Sequence, residues 1–169
     1  MDPVTGEYNR PFLTDALSLV PGYGRMQGMV FRRGDPRFDG KRVDEAAFAA
    51  LRETDCVMVN RNAGSGTRII IDKLLGAHRP TGYGTQTKSH NAVAAAVSQS
   101  RADWGVAIDT VARQYDLGFI PIQEEQYDFV VPTARLKRPA VHAFRALLDD
   151  PQVREELRAL GFRLLPTPK

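Results

Sequence analysis

The stretch from Cys56 to Gly76 constrains the fold of this chain more than any other. Cys56-Val57-Met58-Val59 is a short apolar run of the kind buried in a parallel sheet. Asn60-Arg61-Asn62-Ala63-Gly64-Ser65-Gly66-Thr67-Arg68 follows and opens directly into Ile69-Ile70-Ile71-Asp72-Lys73-Leu74-Leu75. Gly76 then stands where a helix C-terminal glycine belongs. This is a strand, a glycine-containing loop and a helix in immediate succession. Such a unit has to be covered by further strands and helices.

The rest of the chain supplies them. Met26 to Phe31 reads as a strand, Arg32 to Pro36 as a loop, and Asp44 to Arg52 as a helix. Ser89 is a good N-cap for a helix over Asn91–Ser98. Trp104 to Ile108 is a strand, and Asp109 can cap a helix over Thr110–Tyr115. Phe119–Ile122 and Tyr127–Val131 read as two further strands, separated at Glu124-Glu125 by a solvated loop. Two helices close the chain. The second has Asp150 as N-cap, Pro151 at its first position, one face formed by Val153, Leu157 and Leu160, and Gly161 as its stop. Residues 1 to about 24 are turn-rich, apart from Leu13, Ala16, Leu17 and Val20 at helical spacing. Alternating strands and helices predict an α/β fold with a largely parallel sheet.

Composition removes several function classes. The 169 residues are 43% hydrophobic and 25% charged, which suits a soluble globular chain. No apolar run approaches the roughly 18 residues that would span a bilayer, and the first residues are not a secretory signal. The single cysteine excludes an internal disulfide and points to a reducing, cytoplasmic setting. A net charge of +3 is too small to argue for direct nucleic-acid contact.

The chemistry concentrates at two helix starts. A helix N-terminus leaves backbone N–H groups without partners and carries partial positive charge. At the first start, Gly64 and Gly66 let the backbone approach a ligand, Ser65 and Thr67 add hydroxyls, and Arg61 and Arg68 add guanidinium groups suited to an oxyanion. A capped turn with compact helix packing accounts for the same residues. The glycine spacing fits neither a nucleotide P-loop nor a dinucleotide fingerprint. At the second start, Thr87-Lys88-Ser89-His90-Asn91 offers a hydroxyl and an imidazole. His78 and His142 have no metal-ligand spacing with His90, so neither a metal nor any other cofactor is expected. Cys56 reads as buried and inert, and Trp104, Phe119, Tyr127 and Phe129 as core. Ser65 with His90 and Asp109 leaves a hydrolase as an alternative, but no nucleophile–base pair can be argued.

Taken together, these segments resemble a known family. They are Asp2 to Asn9, Gln27-Gly28, Asn60 to Arg68 with Asp72, Gly82-Tyr83, Ser89 to Val97, Ala102 to Val106, and Leu117 to Ile122 with Glu125 and Tyr127-Asp128. The family is the periplasmic-binding-protein-like domain fused to molybdopterin biosynthesis enzymes or placed behind molybdate-responsive winged-helix regulators. The resemblance implies a type II periplasmic-binding-protein-like fold, with one complete α/β lobe and part of a second. Residues 1–24 would be hinge and partial first lobe, 25–122 the complete second lobe with the anion loop, and 123–169 the return into the partial first lobe. Family domains begin further upstream, so the chain resembles an N-terminally truncated copy. Trp104 stands where the family has a small residue, and its bulk is expected to narrow the cleft. The strand at Tyr127–Val131 is expected to expose an edge, for which a homodimer is one remedy.

The resulting expectation is a non-catalytic, cytoplasmic domain that binds a small oxyanion. By resemblance the anion is molybdate or tungstate, linked to molybdenum metabolism or its regulation. The site would centre on Ser65, Gly66, Thr67 and Arg68, with Asn60, Arg61, Ser89 and His90 beside them. Two alternatives are an effector-sensing or dimerisation module of a transcription regulator and an enzyme-associated domain in molybdenum-cofactor biosynthesis.

Overall fold

The computed structural model describes residues Asp15–Leu164. The N-terminal segment Asp2 to Asn9 and Leu13 lie outside the described residues. The chain divides into two compact units. One is Met26–Gln123; the other is formed by the described residues within Met1–Arg25 and Glu124–Lys169.

The elements of the Met26–Gln123 unit are the second half of β1 (Leu17–Arg32), α1 (Val43–Arg52), β2 (Met58–Arg61), α2 (Gly66–Leu75), β3 (Gln86–Thr87), α3 (His90–Ser98), β4 (Trp104–Ile108), α4 (Asp109–Gln114) and the first half of β5 (Leu117–Pro132). The strand order is β3-β2-β4-β1-β5. β2 runs parallel to β3 and β4, whereas β1 runs antiparallel to β4, with Gln27 opposite Ile108 and Phe31 opposite Trp104. The sheet is therefore mixed rather than largely parallel. A helix between two strands makes them parallel only when they become neighbours. β1 and β4 are neighbours far apart in sequence, so no single crossover fixes their direction.

One face of this sheet packs against α1 and α2. Met29, Phe31, Met58, Trp104, Val106 and Ile120 meet Phe38, Ala46, Ala50, Ile71 and Leu75, all of them buried. Burial of each large apolar side chain contributes roughly 1.5–3 kcal/mol. The opposite face receives α3. A β-carbon on Gly105 would lie 2.6 Å from Val93 Cγ1 and 2.9 Å from the Val59 carbonyl oxygen, so this close helix–sheet approach needs glycine. Trp104 is fully buried within the first core, so its bulk fills the interior and lines no cleft. Its indole Nε1 has no hydrogen-bond partner among the described residues. Cys56 is likewise buried, and loss of solvation pushes its thiol up to about 12.

An ionic cluster closes the amino end of β4. Asp103 accepts hydrogen bonds from Arg32 at 2.7 Å, Arg37 at 3.0 Å and the Val57 amide at 2.8 Å. Arg32 also donates to the Val97 and Ala102 carbonyls, which lie at the end of α3 and beyond it. Burial raises the Asp103 carboxyl, but the hydrogen bonds from Val57, Arg32 and Arg37 outweigh it and leave the group below its ordinary value.

The other unit holds the first half of β1, the second half of β5, α5 (Pro139–Asp149), α6 (Pro151–Ala159) and β6 (Arg163–Leu164), which pairs with β1 at Tyr23 and Gly24. Leu17 to Val20 belong to β1 and not to a helix; a short apolar run carries no period that separates the two. Phe119–Ile122 and Tyr127–Val131 are one continuous strand, running through Glu124-Glu125 where a loop was expected. Adjacent residues on an extended chain point to opposite sides. Accordingly Glu125 pairs with Arg25 at 2.6 Å, while Glu124 pairs with Arg163. Tyr23 stacks on Tyr127 at 5.6 Å and leans on Phe162 at 4.6 Å. α6 begins and ends as expected: Asp150 caps it, Pro151 sits in its first turn, and Gly161 follows at a φ of 97°. α4 differs, because its N-cap is Ile108; the Asp109 carboxylate accepts from the adjacent Thr110 amide at 2.9 Å.

Candidate functional site

All eight predicted site residues lie in the Met26–Gln123 unit, at the carboxyl end of β2 and the two helix starts beside it. Ser65 is the N-cap of α2. Its hydroxyl donates to the Asn62 carbonyl at 3.0 Å and accepts from the Arg68 amide at 3.2 Å. That hydroxyl holds the turn. The amides of Gly66 and Thr67, the first two of α2, have no acceptor within their own helix.

Arg61 ends β2 and is only 7% exposed. Its Nη1 lies 3.4 Å from the hydroxyl of Thr67, itself 3% exposed, and 3.1 Å from Nδ1 and 3.3 Å from Nε2 of His90. Its Nη2 donates to the Lys88 carbonyl at 3.4 Å. A guanidinium can only donate, so the imidazole nitrogen that meets it presents a lone pair. One buried cation thus ties the starts of α2 and α3 together. His90 is the first residue of α3, and Ser89 caps that helix by accepting from the Ala92 amide at 3.1 Å.

Asn60 and Arg68 serve the scaffold of this corner. Asn60 is fully buried, accepts from the Arg61 amide at 2.8 Å and donates to the Tyr83 carbonyl at 3.0 Å. Arg68 turns back along α2: its Nε is 2.9 Å from Asp72, its Nη2 donates to the Tyr83 hydroxyl at 2.5 Å, and its Nη1 donates to the Arg61 carbonyl at 3.1 Å. The Tyr83 hydroxyl in turn donates to Asp72 at 2.7 Å, and the Arg68 and Arg79 guanidinium carbons each stand 4.5 Å from the Tyr83 ring centre. Burial raises the Asp72 carboxyl, but hydrogen bonds from Tyr83 and Arg68 pull it below its usual range. The structure therefore brings Ser65, Gly66, Thr67, Arg61 and His90 together, and gives Asn60 and Arg68 hydrogen bonds that hold the loop. The supporting role of Tyr83 and Asp72 is one that sequence reasoning left out; the Arg68–Asp72 spacing of four residues was the available signal.

Among the described residues, no group of three or more His, Cys, Asp and Glu side chains could hold a metal ion. No helix among them is long and apolar enough to cross a membrane.

An open α/β sheet with amide-rich helix starts at the carboxyl ends of its strands defines a ligand-binding fold. The chain belongs to the PBP superfamily domain, whose family model matches residues 1–149. It is 32% identical over 140 residues to the uncharacterized protein YvgK of Bacillus subtilis (strain 168); the match takes in 77% of this chain and 44% of that protein, so the chain spans less than half of that relative's length. Among solved structures it is similar to a putative phosphate ABC transporter substrate-binding protein with bound phosphate from Clostridium perfringens, with a TM-score of 0.70 at 11% identity over 89% of this chain and 72% of that one. It is also similar to the regulatory domain of NMB2055 (MetR), a LysR family regulator from N. meningitidis, with a TM-score of 0.62 at 10% identity over 94% and 73% of the two chains. At these identities the two likenesses concern the fold.

Proposed function

We propose that this chain is a non-catalytic receptor domain for a small tetrahedral oxyanion, held at the start of α2. The observation that carries this reading is the convergence of the buried Arg61 guanidinium with the Thr67 hydroxyl at 3.4 Å, beside the Gly66 and Thr67 amides. Amides at a helix start bind anions through geometry and partial charge, and a guanidinium adds a full charge with fixed donors. Ser65, Gly66, Thr67 and Arg61 contact the anion, His90 and Ser89 border it, and Asn60 and Arg68 keep the loop in place. The clostridial neighbour with bound phosphate supports an anion of this class, and molybdate and tungstate are the anions that the family resemblance implies.

Calorimetric titration of the wild type and Thr67→Val with phosphate, sulfate, molybdate and tungstate tests this. Binding of at least one anion, weakened about tenfold or more in the variant, supports the reading; a hydrogen bond to a charged group contributes about 1.5–3 kcal/mol. Equal affinity in the two proteins contradicts it. A second reading, an effector-sensing module of a transcription regulator, is supported by the likeness to the MetR regulatory domain. It retains the same anion site and assigns DNA contact to another segment or chain.

A further inference from the structure

One buried polar side chain is not explained by the site as described. Gln27 is fully buried, and among the described residues neither its side-chain nitrogen nor its side-chain oxygen has a hydrogen-bond partner. Buried carboxamides are normally satisfied at both ends, since each end has given up water. Among the described residues, both ends of this carboxamide are left open to a ligand.

Register shows where they would sit. Gln27 is opposite Ile108, and Gly28 opposite Ala107. On the other side of β4, Met58 is level with Trp104 and Val59 with Gly105. Continuing that parallel register sets Arg61 level with Ala107, and Asn62 level with Ile108. Gln27 therefore shares a row with the first residue of the loop that opens α2, two strand spacings away, or about 10 Å. Alternation along β1 puts Gln27 on the same face as Met29 and Phe31. That is the face covered by α2 through Ile71 and Leu75. The carboxamide thus lies at the carboxyl end of the sheet, on the side where α2 begins.

We propose that Gln27 is the ligand-reading residue of this site, and that the ligand is a protonated oxyanion of the hydrogen-phosphate class. This rests on the oxyanion reading above and narrows it. The Gly66 and Thr67 amides, the Thr67 hydroxyl and the Arg61 guanidinium can all donate to an anion. Gln27 adds one donor and, through Oε1, one buried acceptor. Sulfate and molybdate at neutral pH carry no proton, so they set lone pairs against Oε1. Hydrogen phosphate carries one P–OH and satisfies both ends of the carboxamide.

The test is calorimetric titration of the wild type, Gln27→Leu and Gln27→Glu with inorganic phosphate, sulfate and molybdate at pH 7, with melting curves to confirm folding. The wild type is expected to prefer phosphate over sulfate and molybdate by about tenfold or more. Gln27→Leu, similar in size but without polar ends, is expected to reduce that preference below about threefold. Gln27→Glu, an acceptor only, is expected to keep it. The proposal is overturned if the wild type binds sulfate or molybdate as tightly as phosphate, or if Gln27→Leu keeps the wild-type preference; in the latter case the carboxamide holds an internal water. In both cases the oxyanion reading survives. If none of the three anions binds the wild type, both fall. Should Gln27→Leu fail to fold, the wild-type preference and Gln27→Glu still decide the matter.

Discussion

Arg61 and Thr67 meet side chain to side chain, Nη1 to Oγ1 at 3.4 Å, across the turn that joins β2 to α2. Both residues are buried, at 7% and 3% exposure. The turn that places them is held by hydrogen bonds: Ser65 caps α2, Asn60 clamps the Arg61 amide, and Arg68 ties the helix to Tyr83. The capping role of Ser65 is therefore separable by mutation from the Arg61–Thr67 contact.

Ser65→Ala removes the α2 cap. It is expected to lower stability by about 1 kcal/mol, the usual worth of an N-cap side chain. Thr67→Val keeps the shape of its side chain and the cap, so chemical denaturation should show a smaller loss of stability than Ser65→Ala. The reverse order would contradict the division of roles.

Arg68→Met breaks the contacts to Asp72, Tyr83 and the Arg61 carbonyl at once. The Asp72 side chain is 42% exposed, so the ion pair itself contributes little, and the loss is expected near 1–2 kcal/mol, mainly from the hydrogen bonds. Tyr83→Phe should show a smaller loss in the same direction. Urea denaturation of the two variants measures both.

Asp103, Asp35 and Asp72 all have carboxyls held below their ordinary value in the folded chain. For Asp35 the main cause is the hydrogen bond from Arg37; for the other two, burial opposes the shift and hydrogen bonds prevail. A group whose folded pKa is depressed gives stability that is fully present above its unfolded pKa, near 3.9 for Asp, and lost as pH falls through the folded value. Melting temperature is therefore expected to hold down to about pH 5 and to fall steeply below about pH 4. Asp103→Asn should melt lower at pH 7 and show a shallower acid limb.

Cys56 is fully buried, with its thiol pushed up to about 12. A thiol reagent at pH 8 is expected to leave it unmodified in the native protein and to react fully in denaturant. Prompt labelling of the native chain would contradict the packing around β2.

Much of this was legible in the residues. The caps at Ser89 and Asp150-Pro151 and the stop at Gly161 located helix ends directly, because each works through bonds within a few residues. The continuity of β5 through Glu124-Glu125 was not legible, because those carboxylates are met by Arg25 and Arg163, partners distant in sequence. Trp104 looked like an obstacle at a cleft until its strand register set it in the core beside Met58. Arg68 reads as an anion ligand by type and place; its hydrogen bonds to Asp72, the Arg61 carbonyl and the Tyr83 hydroxyl depend on how the loops fold together and are not visible in the residues alone. Gln27 enters the sequence reading only as part of the Gln27-Gly28 segment of the family resemblance; its burial was not legible, since a glutamine on a strand ordinarily faces water.

The most direct test of the central claim is a backbone-amide NMR titration of the wild-type chain with phosphate, with sulfate and molybdate in parallel. The account predicts saturable shifts of the Gly66 and Thr67 amides, accompanied by His90 and by the side-chain amide of Gln27 with phosphate. Shifts confined to other parts of the chain, such as α1 or the aromatic cluster of Tyr23 and Tyr127, or no shifts with any of the anions, would contradict it.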